Sequence, residues 1–342
     1  MTISFNQSPQ NARILSVGAY RPPRVVQNGE IAPRIDSSDE WIQQRTGIVS
    51  RHFASPDESL IDMAFKSAEI AIARAGLTFE DIDAVIFATI SYPFQAPSAA
   101  TELLTRLNNS TAAAFDISAA CAGFCYGVAI ANDMVRSHTA KNVLVVGAEK
   151  LSDYTDPDDR ATAFIFADGA GSVVIGVSDH VGIGPTVWGS NSQTRDAIVL
   201  NPSYLEYKNN PGKLDIGWPN ISQQGQTVFR WAVYAIAPLA LQALEAAGMS
   251  PDQLGAFIPH QANERIIDSL VKSMKLPDSV AIARDIRTSG NTSSASIPLA
   301  MDALLAERPD LHGKSALLVG FGAGLVYAGQ VVELPPIPQK SN

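Results

Sequence analysis

Cysteine is almost absent: Cys121 and Cys125 are the whole supply in 342 residues. They stand four apart in one apolar segment, which excludes a disulfide-stapled scaffold and suits a reducing compartment. Two thiols without a histidine pair beside them make a poor zinc site, so no metal is expected. Charged residues are only 17% of the chain, and 25 Lys and Arg face 34 Asp and Glu, a formal net charge of −9. An acidic chain repels phosphate backbones, so general nucleic-acid binding is not expected, although net charge leaves room for a local basic patch. No uninterrupted apolar run approaches the roughly 20 residues that a membrane span needs. The opening MTISFNQSPQNARILSV lacks a basic stretch followed by an apolar one. The expectation is a cytoplasmic protein with no membrane contact.

Hydrophobic residues, at 46%, are ordinary for a globular chain, and the length points to two packed or duplicated units. β-Branched apolar runs read as buried strands at 84–90, 142–149, 172–177, 255–260 and 315–321. Ala-rich amphipathic helices lie between them, around 60–75, over 228–247 and over 294–306. This alternation predicts an α/β layered fold. A self-comparison sharpens it. AEIAIARAGLTFEDIDAVIFATIS (68–91) resembles the stretch from Ala240 onward, with Gly76 on Gly248, Ala84 on Ala256 and Ile86 on Ile258, an offset of 172; Gly147 falls on Gly320 at 173. Two similar halves are inferred, 1–180 and 181–342. The stretch 190–222, rich in Asn, Gly, Pro and Ser, breaks the pattern and reads either as a functional flap or as a mobile surface loop.

Three polar positions carry chemical interest. In FDISAACAGFCYGV, Cys121 sits where a helix should begin, and a helix N-terminus favours a thiolate. The alternative is a small buried hydrophobe, the role given to Cys125. Of five histidines, His260 alone ends an apolar strand, the place where α/β sheets bind ligands. Asn291, in the turn TSGNTSSASIP, lies two residues from Ser293, on which Cys121 falls at an offset of 172. The duplication therefore predicts that Cys121 and Asn291 meet near a pseudo-twofold axis with His260 close by. GFGAGLVYAG (320–329) is glycine-dense but incomplete as a dinucleotide motif. Its glycines could instead bring a backbone N–H close to a substrate carbonyl.

SSDEWIQQRTGI (37–48), DISAACAGF (116–124), DDRATAFIFADGAGSVV (158–174), IPHQANERI (258–266), GNTSSASIP (290–298) and GFGAGLVYAG together resemble the thiolase superfamily of condensing enzymes. Within it they resemble the β-ketoacyl-acyl-carrier-protein synthase III family over nearly the whole chain. The resemblance implies a thiolase-like αβαβα fold. It also implies a decarboxylative condensation of an acyl-CoA primer with malonyl-acyl-carrier protein, through an acyl-Cys121 intermediate. His260 and Asn291 would stabilise the enolate, and the N–H groups of Cys121 and Gly322 would form the oxyanion hole. No cofactor is implied, since CoA thioesters are substrates. Trp41 and Arg160 match positions around the CoA adenine, and Arg45 one near its phosphates. Arg265, Arg230 and Lys272 match a basic surface for the acidic carrier protein; Lys275 reads better as a solvated residue. Ala96 matches an acyl-pocket position that reaches across the interface of a homodimer, and its small side chain implies a primer longer or more branched than acetyl. Degradative thiolases carry a second catalytic cysteine, elongating synthases a second histidine, and hydroxymethylglutaryl-CoA synthases a Glu where Thr89-Ile90-Ser91 stands. The Cys–His–Asn set favours synthase III chemistry. Three functions are open: initiation of fatty-acid synthesis, priming or acyl transfer in a polyketide or other secondary pathway, and a non-catalytic acyl- or carrier-binding module.

Overall fold

The computed structural model describes residues 9–213 and 217–336; residues 1–8, 214–216 and 337–342, which include part of the opening segment and of the 190–222 stretch, lie outside the described residues. In chain order the strands are β1 (Asn11–Tyr20), β2 (Arg24–Gln27), β3 (Ser50–Phe53), β4 (Ala84–Ala88), β5 (Ala113–Ile117), β6 (Asn142–Lys150), β7 (Asp168–Ser178), β8 (Val187–Ser190), β9 (Ile198–Asn201), β10 (Asn220–Gln223), β11 (Ala256–Pro259), β12 (Ala281–Ile282), β13 (Ser315–Gly322) and β14 (Val326–Glu333). Ten of them form two five-stranded sheets, ordered β1-β7-β6-β4-β5 and β12-β11-β13-β14-β8. Read from β5 and from β12, both sheets run parallel, parallel, antiparallel, antiparallel.

The burial of β4 on both faces follows from its sequence. Ala84 and Ile86 face a core between the sheets, while Val85 and Phe87 face an outer layer. Between the sheets lie the helices Gly123–Arg136 and Ser296–Glu307, whose Phe124, Val128, Ile297 and Met301 join Val143 and Leu318 in one shared core. Helices Leu60–Arg74 and Ala99–Arg106 cover the first sheet from outside, and Gly225–Ala246 and Glu264–Met274 cover the second. The layers are therefore α, β, α, β, α. Helix starts are written locally: Ser59 accepts the Asp62 N–H and the Asp62 carboxylate returns to the Ser59 N–H, a reciprocal cap. Helix Gly225–Ala246 is long and apolar enough to cross a membrane by length and composition. Its apolarity is used here against the second sheet, where Ala232, Ile236, Ala240 and Leu244 are buried.

Two expectations change. The described part of the 190–222 stretch is built rather than irregular: β9 and β10 pair antiparallel, and the helix Tyr204–Asn209 lies between them in the chain. Ile198, Leu200 and Ile221 pack on Leu151, Tyr154 and Phe166. Their alternation was hidden among turn-forming residues. The repeat register also shifts by one. The short 3-10 turns Ala120–Ala122 and Ser293–Ala295 occupy the same place in the two halves, and their first residues share a left-handed φ, 45° at Ala120 and 48° at Ser293. The counterpart of Cys121 is thus Ser294, not Ser293. One added residue between β11 and this turn raises the offset from 172 to the 173 that already holds at Gly147 and Gly320.

Candidate active site

Cys121 lies in the turn between β5 and the helix Gly123–Arg136, and the small residues around it answer to close packing. A Cβ on Gly320 would lie 2.9 Å from the Ala122 Cα, and a Cβ on Gly322 would lie 2.9 Å from the Cys121 N and 3.0 Å from its Sγ. A Cβ on Gly123 would meet the Ala88 Cβ at 2.9 Å. The end of β13 is therefore pressed against the cysteine turn, and only glycine permits that approach. This puts the Gly322 backbone beside the sulfur.

His260 follows β11 and donates its backbone N–H to the Val319 O at 2.8 Å. Its ring meets Phe321 edge-on, with centroids 5.3 Å apart, and its Nδ1 lies 2.7 Å from the Ser296 Oγ. Asn291 is held on both sides of its backbone: its N–H donates to the Ile165 O at 3.0 Å, and its C=O accepts from the Ala167 N–H at 2.9 Å. Its Oδ1 accepts from the Ser293 N–H at 2.9 Å, which leaves the Nδ2 hydrogens for another acceptor. Cys121, His260, Asn291 and Gly322, drawn from four separate segments, all line one cavity of about 680 Å³. That volume is in the range of small-molecule sites.

Burial sets the charge states. The Cys121 thiol is pushed up to about 12, chiefly by loss of solvent, with the nearby Glu149 adding to the rise and Ser293 opposing it. The expected thiolate at a helix N-terminus is thus corrected: at rest desolvation wins, and the sulfur is a neutral thiol. Burial likewise pushes the His260 imidazole down to about 3, so it is neutral at any physiological pH. Glu149 is fully buried and its carboxyl is raised by desolvation, against hydrogen bonds from Ser91, Ile90, Ser294 and Thr89.

The mouth of the cavity is basic and aromatic. The guanidinium carbons of Arg45 and Arg160 lie 5.4 and 5.5 Å from the centroid of the Trp41 ring. Phe164 meets that ring edge-on at 5.2 Å. Gly47 ends the Trp41 helix in a left-handed conformation and leaves room for Glu264, while the Asn263 Nδ2 donates to the Arg45 O at 2.9 Å. These contacts clip Trp41 and Arg45 to the start of the helix that carries Arg265. Arg230 and Arg265 also line the mouth, and Arg265 lies over Phe229 at 5.2 Å. Lys272 is exposed further along the same helix and does not line the cavity. Ala96 is exposed and lines neither described cavity of the single chain.

Residues 115–192 match the family described as 3-oxoacyl-[acyl-carrier-protein (ACP)] synthase III, and residues 244–334 match its C-terminal part. Beta-ketoacyl-[acyl-carrier-protein] synthase III 1 of Streptomyces coelicolor is 54% identical to this chain, over 95% of it and 96% of that protein. The chain belongs to the synthase III family. Among solved structures, the priming β-ketosynthase of the R1128 polyketide biosynthetic pathway superposes with a TM-score of 0.94 at 43% identity, over 97% of this chain and 98% of that one. The 3-oxoacyl-[acyl-carrier-protein] synthase III of Aquifex aeolicus superposes with a TM-score of 0.86 at 34% identity, over 94% and 100%.

In this synthase III, a second cavity of about 380 Å³ shares Ile90, Ala120, Leu151, Ile198, Ile221 and Ala323 with the first. Most of its remaining wall is apolar. Sequence reasoning missed this wall because β9 and β10 were not legible as strands. It also missed Ser296, which meets the His260 ring from behind, and Glu149, which holds Ile90, Ser91 and Ser294. Ser296 stood inside a quoted motif, but nothing local in GNTSSASIP says which of its serines meets an imidazole.

Proposed function

We propose that this chain initiates acyl-chain synthesis in two half-reactions at one sulfur. In the first, the Cys121 Sγ forms a bond to the acyl carbon of an acyl-CoA, the bond from that carbon to the CoA sulfur breaks, and the thiol proton leaves with CoA. Trp41 and Arg160 grip the adenine and Arg45 the phosphates; planar cationic and aromatic groups both suit a base face. The backbone N–H groups of Cys121 and Gly322 meet the oxyanion of the tetrahedral intermediate, a donor pair of the kind worth about 3–4 kcal/mol for each member. In the second half-reaction, malonyl-acyl-carrier protein loses CO₂ by cleavage of its Cα–carboxylate bond. The His260 Nε2–H and the Asn291 Nδ2–H donate to the enolate oxygen. The carbanion then attacks the acyl-cysteine, and a 3-ketoacyl-carrier protein leaves the freed sulfur. The electrons for the new carbon–carbon bond come from the carboxylate, so the step balances without a redox group. Arg265, Arg230 and, further out, Lys272 offer the acidic carrier a positive surface.

The observation that carries this reading is the convergence of Cys121, His260 and Asn291 on one cavity with the Gly322 backbone against the sulfur. The division of labour follows the halves: 1–180 supplies the nucleophile, and 181–342 supplies His260 and Asn291. A homodimer is supported by β5, which pairs only with β4 and leaves its other edge open among the described residues. A second copy extending the sheet there would bring Ala96 to the partner's acyl pocket. Two free thiols and CoA thioester substrates support a cytoplasmic setting. A second reading, priming of a polyketide pathway, is supported by the likeness to the R1128 priming enzyme; the same three residues would serve it with a different carrier.

The test is intact-protein mass spectrometry after incubation with mixed acyl-CoAs. The expected result is one acyl adduct, mapped to Cys121 and absent from Cys121→Ala, with a chain longer or more branched than acetyl. No adduct, or one on Cys125, refutes the mechanism, and an acetyl-only adduct refutes the primer reading.

A further inference from the structure

We infer that Ser296 is a positioning residue that sets the tautomer of His260, by donating its hydroxyl hydrogen to Nδ1 and so keeping the ring proton on Nε2, toward the cavity. The inference rests on the proposed donor role of His260 only for its effect on rate; the tautomer itself can be read separately.

The argument is an account of hydrogens. Ser296 is 1% exposed and His260 2%. Between them is one contact, 2.7 Å from Oγ to Nδ1. Either atom could donate across it, and the neighbours decide. The Gln261 N–H donates to the same Oγ at 3.3 Å, so one lone pair of the hydroxyl is already used. That N–H is held in place, because the Gln261 side chain is itself fixed: its Nε2 donates to the Pro259 O at 2.7 Å and its Oε1 accepts from the Ile286 N–H at 3.0 Å. Among the described residues, the one acceptor within reach of the Ser296 hydroxyl hydrogen is the His260 Nδ1. If Nδ1 carried the proton instead, the buried hydroxyl hydrogen would have no partner, and an unmade buried hydrogen bond costs about 1–3 kcal/mol. Burial keeps the imidazole neutral, so it has one ring hydrogen to place. Phe321 packs edge-on against the ring and restricts its rotation. The proton therefore sits on Nε2.

The experiment uses the full-length enzyme labelled with ¹⁵N-histidine, with the His260 signals identified by their loss in His260→Gln. In the native protein the expected signature is a protonated Nε2 and an unprotonated Nδ1. Ser296→Ala is expected to give mixed tautomers and to slow malonyl-carrier decarboxylation by about tenfold, a fraction of the loss that removal of a whole donor brings. Acylation of Cys121 by acyl-CoA should stay within about twofold, since it does not use this donor. Ser296→Thr, which keeps the hydroxyl, should restore both the signature and the rate. Ser296→Cys, similar in volume and a weaker donor, should fall between and serves if the alanine variant does not fold. An unchanged tautomer in Ser296→Ala and Ser296→Cys overturns the inference, as does equal loss in both half-reactions. If His260→Gln decarboxylates normally while Ser296→Ala still mixes the tautomers, the donor role of His260 fails and the positioning role stands.

Discussion

The two halves place the same turn at two adjoining corners, where a Cβ on Gly123 would lie 3.8 Å from the Ser294 Cβ, and use it in opposite ways. At one corner Cys121 faces a cavity; at the other Ser294, 173 residues on, is wholly buried. The difference lies in what each sheet presents. Beside Cys121, β13 ends in Gly322, whose missing side chain leaves the sulfur open and a backbone close. The matching place on β6 holds Glu149, whose Oε1 accepts from the Ser294 Oγ at 2.9 Å. The Ser294 Oγ also lies 2.8 Å from the O of Ala88, the residue that corresponds to His260, so its single hydrogen is shared between two acceptors. One corner therefore has glycine and histidine around a thiol, and the other has glutamate and alanine around a capped hydroxyl. Glu149 further accepts from the Ile90 N–H and the Ser91 hydroxyl, so it clamps the wall that the two cavities share. A duplicated backbone thus supplies two equivalent turns, and two side chains decide which one faces a cavity.

The largest test breaks the asymmetry directly. Ser294→Cys, in a Cys121→Ala background, should be labelled by iodoacetamide at least about 10³-fold more slowly than native Cys121, because reaction requires the corner to open. Labelling at a similar rate would show that burial does not separate the two sites. Next, Gly322→Ala must push the Cys121 turn, since its new Cβ falls within 3.0 Å of the sulfur. Both half-reactions should lose about 100-fold in kcat/KM, the scale of a misplacement near 1 Å, with the fold retained by circular dichroism. The smallest effect concerns charge. With its thiol pushed up to about 12, Cys121 in the unliganded enzyme gains thiolate roughly tenfold per pH unit, so its alkylation rate should climb from pH 6 through pH 9 without levelling. A plateau below about pH 8 would mean that the helix N-terminus outweighs burial at this corner.

Much of the fold was legible because its strands are local statements. Runs such as AVIFATI and NVLVVGAE are too apolar for anything but buried strands, and the amphipathic stretch read around 60–75 is the helix Leu60–Arg74. Of the site, Cys121 and His260 stood out because one opens a helix and the other ends a strand, and Asn291 because the repeat register put it beside the duplicate of Cys121. The second cavity did not, because Ile198 and Ile221 form one surface only once β9 and β10 pair across the intervening positions 202–219, which read as turn. The charge of Cys121 was misread for a related reason. A helix N-terminus is visible in the sequence, whereas desolvation depends on everything packed around the sulfur.

The amino-acid order by itself determined the layered duplicate, the family and the three polar positions, since these rest on periodicity and short motifs that neighbouring residues enforce. The tertiary structure alone decided which of two equivalent turns is open, which protonation states its groups hold, and which serine faces the imidazole. Those outcomes depend on contacts between segments up to about two hundred residues apart, and a hydrogen bond or a lost hydration shell exists only after the segments have met.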